Sequence, residues 1–228
     1  MREKTLSQEG LKGLACLAML VDHMGVILFP QIWLRVVGRI AFPIFCFLLV
    51  EGIEHTGNPK KYGQRLIVAM ILSEIPFNLM HGRIVDFSRQ SVMVTLLLGF
   101  LTLVLTKDLC CPALKLSAGL FAAMAAELLH TDYGAQGVLV ILLFGYAREY
   151  QLSLPAQTAI LAVICLIFPC YNLYFGNIPV PIELFAVFAM VPIALYGGKK
   201  RTHSKMVQWG FYLFYPVHML ILSLLRWL

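Results

Sequence analysis

A chain of 228 residues that is 60% hydrophobic and only 13% charged, with a mean hydropathy of +0.80, has the composition of an integral membrane protein and excludes a soluble globular domain. Its formal net charge of +6 does not point to a nucleic-acid partner, because the basic residues stand in short clusters between apolar runs. In those positions they act as topology signals and headgroup contacts for the surrounding lipid bilayer.

Taken in chain order, the apolar runs predict spans at roughly 11–29, 36–54, 62–80, 91–106, 112–129, 135–149, 155–171, 181–197 and 207–225, judged against the about 17 to 25 helical residues that cross a bilayer core. The expected fold is an all-α polytopic bundle of about nine spans, with about eight or ten as the limits because the fourth, sixth and seventh runs are short. Asn58-Pro59, His81-Gly82, Cys111-Pro112, Tyr133-Gly134, the stretch from Asn172 to Pro181, and Gly197-Gly198 read as the turns between them. Barrel-type alternation is absent. No cleavable signal is expected, since the first run continues through Asp22 and His23 without a small-residue cleavage site. Residues 1–228 therefore read as a single integral membrane domain.

Lysine and arginine set the expected orientation. Arg2, Lys4, Lys12, Lys60, Lys61, Arg65, Lys107, Lys115, Arg148, Lys199, Lys200, Arg201 and Lys205 fall on one side, about thirteen in all, against about four (Arg35, Arg83, Arg89 and Arg226) on the other. The positive-inside rule then places the amino terminus in the cytoplasm and the carboxyl terminus outside.

Several spans carry polar groups that a lipid-facing helix would lack. Asp22 and His23 are adjacent in the first, Arg39 and Glu51 lie in the second, and Glu74 and Asn78 in the third. A charge at mid-membrane costs about 2.5–3.5 kcal/mol, so each needs a partner or a task. His23 lies roughly 18 Å from the start of its span at 1.5 Å per residue, and Glu74 and His218 reach similar depth. Arg39, Asn78, Glu127, Asp132 and Tyr133 fall nearer the outer end. Together they predict a buried polar cavity in the middle and outer half of the bundle.

Structural readings stand beside the functional ones. Asp22 and His23 could pair with neighbouring helices; pointing about 100° apart, they cannot both aim at one atom. Arg39 could snorkel to the interface, and Glu51, near a boundary, could be solvated. Glu74 and Asn78, four apart around Pro76, share a helix face and suggest a cavity lining; Tyr215 and His218 around Pro216 form a similar pair. In DYGAQG, Asp132 could simply cap the following helix. The six cysteines and the histidines show no metal-ligand spacing, so no metal is expected. A nucleophile elbow and a phosphate-cradling glycine loop are missing.

The blocks DHMG, GRIAFPIFCFLLVEG, KKYGQRLIVAMILSEIPFNL, SVMVTLLLG, ELLHTDYGAQGVL and FYLFYPVHMLIL, in that order and from about Leu11 to Leu222, resemble the TraX family of membrane proteins. The resemblance implies a bacterial inner-membrane protein akin to a conjugation protein implicated in acetylating the amino terminus of pilin, and to the wider group of acyl-CoA-dependent membrane acyltransferases. Those enzymes carry an essential histidine on the first span with an arginine nearby, which implicates His23 as general base and Arg39 as a ligand of the acyl donor. Asp132, Tyr133 and His218 match family blocks without an assigned role.

Acetyl transfer from acetyl-CoA to an amine or hydroxyl needs a base, and a neutral histidine suits it. Asp22, Glu74 or Glu127 could fix its tautomer, and Asn78, Tyr215 or Arg39 could donate to the developing oxyanion. Lys60, Lys61, Arg65, Lys199, Lys200 and Arg201 are the candidate grips for the donor's phosphates. The acceptor could be a pilin-like peptide, a glycan or a small amine. A proton-coupled transporter and a non-catalytic assembly factor remain as alternative readings of the same buried groups.

Overall fold

A computed structural model describes residues 5–175, 178–198 and 204–226, and helices dominate among them. Helix α1 (Gln8–Ile27) starts where Ser7 accepts the Gly10 amide at 3.1 Å, satisfying one of the amides that a helix start leaves unpaired. The chain turns back through α2 (Ile32–Gly38) and α3 (Ala41–His55), a single apolar stretch interrupted at Arg39 and Ile40. Helix α4 (Pro59–Met80) is launched by Asn58, whose side chain accepts the Lys61 amide at 2.9 Å. Pro59 follows at a position where the missing N–H costs nothing. Then come α5 (Val92–Thr106), α6 (Pro112–Leu128), α7 (Gly134–Glu149) and α8 (Leu154–Ile167).

Past α8 the structure departs from the expected pattern. The stretch read as turns folds into an antiparallel hairpin, β1 (Asn172–Phe175) against β2 (Ile178–Pro181), with Asn172 opposite Pro181 and Tyr174 opposite Pro179. Prolines are tolerated because a two-stranded hairpin consists of edges, where an N–H can be absent without breaking a ladder. The run expected at 155–171 ends its helix at Ile167, and the run expected at 181–197 opens as a 3-10 helix, Ile182–Ala189, before α9 (Met190–Ala194). Helix α10 (Lys205–Arg226) completes the bundle.

Among the described residues, three helical stretches are long and apolar enough to cross a membrane: Gln8–Ile27, Ile32–His55 and Met206–Arg226. Helix α4 has 22 residues but carries Lys60, Lys61, Arg65 and Glu74, while α5, α8 and the segment Ile182–Ala194 are apolar but shorter. The exterior also suits lipid. Helix α6 buries Gly119, Ala122, Ala123 and Ala126 and turns Leu116, Leu120, Phe121 and Leu128 outward. Small residues let helix backbones approach closely where lipid removes the hydrophobic drive for association.

The interior is built on α3 and α7, which bury ten residues each. We call the end of the bundle where α1 begins proximal and the opposite end distal. Ion pairs join elements at the proximal end: Arg148 with Glu51, Lys107 with Glu54 at 3.5 Å, and Lys115 with Glu149 at 2.5 Å. Glu51, expected to be solvated, is buried beneath its Arg148 partner. At the distal end Arg226 donates to the Met80 carbonyl at 3.3 Å and Gln90 pairs with Thr131.

One close approach fixes how α1 meets α2. A Cβ on Gly38 would overlap both Cβ and the carboxylate of Asp22, whereas a Cβ on Gly13 of α1 would meet nothing within 4 Å. Gly38→Ala should therefore lower stability by about 1–3 kcal/mol, the usual cost of overpacking. Gly13→Ala should be neutral or stabilising by up to about 1 kcal/mol, through helix propensity. Denaturant unfolding in mild detergent checks the pair, and equal effects at the two sites would contradict the close contact.

Candidate functional site

The space left by Gly38 holds a cluster of charges. Arg35 Nη1 donates to Asp22 Oδ2 at 2.5 Å, Arg39 Nη2 donates to Asp22 Oδ1 at 2.7 Å, and Arg39 Nε reaches the Arg35 carbonyl at 3.3 Å. Both Asp22 and Arg39 are buried. Arginines four apart share a helix face, so α2 and the break after it present two guanidinium forks to one carboxylate. Asp22 is thus committed to arginine, not to its neighbour His23.

His23 turns elsewhere. Its Nδ1 lies 2.7 Å from Nε2 of His218 on α10, and His218 Nδ1 lies 2.6 Å from the Phe214 carbonyl one turn earlier. Tyr215 stands beside them, its ring centre 6.2 Å from that of His23 and 6.0 Å from that of His218. Two histidines 195 positions apart in the chain therefore share one site.

That site opens on a cavity of about 1580 Å³ whose walls include both ends of the bundle. Gln8, Lys12, Thr56, Arg65 and Gln208 line it proximally, His23 and Tyr215 in the middle, and Arg35, Arg39, Arg89, Asp132 and Glu183 distally. Arg65 lies with its guanidinium 5.4 Å from the Tyr62 ring centre, and its buried Nε has no partner among the described residues. Lys12 stands 5.5 Å over the Phe211 ring. The proximal wall thus sets Arg65 and Lys12 against aromatic faces, with Glu9 as a carboxylate beside them, whereas the distal wall gathers several arginines and several carboxylates. In the distal turn, Asp132 is exposed to the cavity, and Arg39 pulls on its carboxylate.

The fold separates the expected site residues. Asp22, His23, Arg39, Asp132, Tyr133 and Tyr215 line the cavity, with His218 behind His23. Tyr133 stacks on Phe42 with ring centres 3.7 Å apart. Glu127 also reaches the wall, but its Oε1 accepts the Ala135 amide at 2.7 Å. It is Glu127, not Asp132, that caps α7. Glu74 and Asn78, expected to line the cavity, stand off it. Glu74 accepts from Ser91 Oγ at 2.7 Å and from the Ser91 amide at 3.4 Å, securing the start of α5. The Asn78 carbonyl accepts the amides of His81 and Arg83 as α4 ends.

Of the expected phosphate grips, Arg65 is on the wall, while Lys60 and Lys61 are exposed on the first turn of α4 and off it. Lys199, Lys200 and Arg201 lie outside the described residues. Among the described residues, no three His, Cys, Asp or Glu side chains come together to hold a metal ion.

Two site residues escape sequence reasoning. Arg35 counts there as an outer topology charge, although its spacing of four from Arg39 was the available signal. Glu183 is buried at the start of the 3-10 helix, where its Oε2 accepts the Cys170 amide at 3.1 Å and its Oε1 has no partner among the described residues. A lone carboxylate in the apolar run IPVPIELFAVFAM marks it.

The charge cluster generates a stability prediction. Asp22→Ala strands two guanidinium groups, and breaking a buried pair in this way costs about 3–5 kcal/mol. Asp86→Ala, which removes the partner of the exposed Arg83 in the loop after α4, should change unfolding by at most about 1 kcal/mol. Unfolding midpoints of the two variants in detergent, measured beside the unaltered protein, check both.

A model of the TraX protein family matches residues 7–226. A protein of Dichelobacter nodosus named "Probable fimbrial assembly protein FimC, serogroup H1" is 29% identical over 231 residues, covering 93% of this chain and 92% of the relative. An uncharacterized protein of Rickettsia prowazekii (strain Madrid E) is 32% identical over 99 residues, covering 43% of this chain and 37% of its own length. No solved structure matches. With every described helix inside the matched stretch, the chain belongs to the TraX family.

Proposed function

We propose that the protein is a bacterial membrane acetyltransferase serving pilus or fimbrial assembly. It moves an acetyl group from acetyl-CoA to an amine or hydroxyl. The observation that carries this reading is His23, set in the middle of a cavity with walls at both ends of the bundle and backed by a hydrogen-bonded partner. Membership of the TraX family, and a relative named for fimbrial assembly, support the biological setting.

In this reading the proximal mouth faces the cytoplasm, as the Lys and Arg bias expects, and receives acetyl-CoA. Arg65 and Lys12 then replace Lys60 and Lys61 as the phosphate grips, because they stand on the wall. The acceptor reaches His23 from the distal side. Its nitrogen or oxygen attacks the thioester carbon while His23 takes the proton. The carbon–sulfur bond breaks, and the departing thiolate takes that proton back, leaving the CoA thiol and the acetylated acceptor. Tyr215, on the wall beside His23, is the candidate donor to the oxyanion; Arg39, held by Asp22, contributes field. Cys16 and Cys46 stand off the cavity, and Cys170, which lines it, lies at the distal end beside Glu183, away from the proposed donor mouth, so the reading takes transfer as direct.

A proton-coupled carrier would use the same cavity, with Asp132 and Glu183 as its distal acids, and donor binding separates the two. Calorimetry on the purified protein should detect acetyl-CoA. His23→Ala should keep that binding and lose turnover. Arg65→Gln should raise the KM for acetyl-CoA by about tenfold or more, the loss of a charge-assisted contact, while Lys60→Gln with Lys61→Gln should leave it unchanged. Turnover surviving in His23→Ala removes the base assignment. Absence of donor binding across lipid and pH conditions favours the carrier.

A further inference from the structure

We infer that His218 is a positioning residue: anchored by the Phe214 carbonyl, it holds the proton of His23 on Nδ1 and leaves Nε2 of His23 as the bare base. The tautomer follows from geometry alone, and only its catalytic consequence rests on the acetyl-transfer reading.

A carbonyl oxygen can only accept, so the 2.6 Å contact from His218 Nδ1 to the Phe214 oxygen requires the proton on Nδ1. Neutral His218 then has its lone pair on Nε2. That atom lies 2.7 Å from Nδ1 of His23, and the contact becomes a hydrogen bond only if His23 Nδ1 donates. Neutral His23 consequently has no proton on Nε2. The two rings are near parallel at 10° with centres 4.9 Å apart, which allows the lone pair of one to lie along the N–H of the other. The Phe214 ring, 4.8 Å away at 18°, holds the His218 plane from its own helix.

His23 lines the cavity and His218 does not, so the directed lone pair belongs to the residue that meets substrate. When His23 takes a proton on Nε2, the resulting imidazolium keeps its Nδ1–H on His218. The positive charge is spread toward a neutral imidazole and a backbone carbonyl, the part that a carboxylate plays in other histidine-based catalysts. Asp22 cannot play it, being held by Arg35 and Arg39.

The test is nitrogen-15 spectroscopy of the full chain in detergent, labelled at histidine and held above the pH at which either ring is charged. Both His23 and His218 should carry the proton on Nδ1. His218→Gln, whose amide oxygen can accept from His23, should keep that state, and His218→Leu should lose it. Protonation of wild-type His23 on Nε2 overturns the inference. In turnover, His218→Leu should lower kcat about 10- to 100-fold, the usual cost of losing an orienting partner, with KM for acetyl-CoA unchanged. His218→Gln should recover most of the rate. A kcat unaffected by His218→Leu, or no recovery in His218→Gln, overturns the positioning role. If the tautomers are as inferred but the wild type transfers no acetyl group, the relay stands and the acetyl-transfer reading falls.

Discussion

Three clustered charges, two of them buried, hold the rest of the site in place. Asp22 sits between the guanidinium groups of Arg35 and Arg39, and neither buried member, Asp22 or Arg39, can lose its partner without a large desolvation cost. The clamp requires α2 to approach α1 more closely than a side chain would permit, and Gly38 supplies that approach. Because successive residues on a helix diverge by about 100°, a helix that turns Asp22 toward α2 must turn His23 toward a different neighbour. That neighbour is α10, where His218 waits. A pair adjacent in sequence thus divides its work: one residue fixes the helix, the other faces the cavity.

Much of this fold is legible in the chain. Apolar runs separated by Pro, Gly and Asn locate most helical segments, the exception being α2, which begins inside the gap expected between residues 29 and 36. What stays hidden depends on tertiary context. Pro179 and Pro181 argue against strands, yet the hairpin forms because neither strand needs a second neighbour. The 3-10 stretch from Ile182, which follows the hairpin directly, carries no composition that separates it from an α-helix.

The site divides in the same way. His23, Asp22, Arg39 and Tyr215 stand out because ionisable or polar groups in apolar runs need a reason. Glu74 and Glu127 stand out equally, but their reasons are local. They accept backbone amides at Ser91 and Ala135, 17 and 8 residues downstream, where helices begin. A sequence shows the carboxylate but not the unpaired amide that it satisfies. Arg35 is hidden by the opposite error, a charge near a span end being indistinguishable from a topology signal until its partner across the turn is known.

The cavity's asymmetry bears on how the proposed substrates meet. CoA carries several phosphate charges, and moving them across a low-dielectric bundle would cost far more than the site can return. The reaction asks for nothing of the kind. The acetyl group is small and uncharged, so the donor can keep its phosphates among the proximal cations while presenting only its thioester at the depth of His23. An acceptor entering from the distal side needs only to bring one nitrogen or oxygen within about 3–3.5 Å of that carbon. A base whose lone pair is fixed by a neighbour buried behind it suits this arrangement, because neither substrate has to pass the histidine, and the wall that orients it stays closed to both.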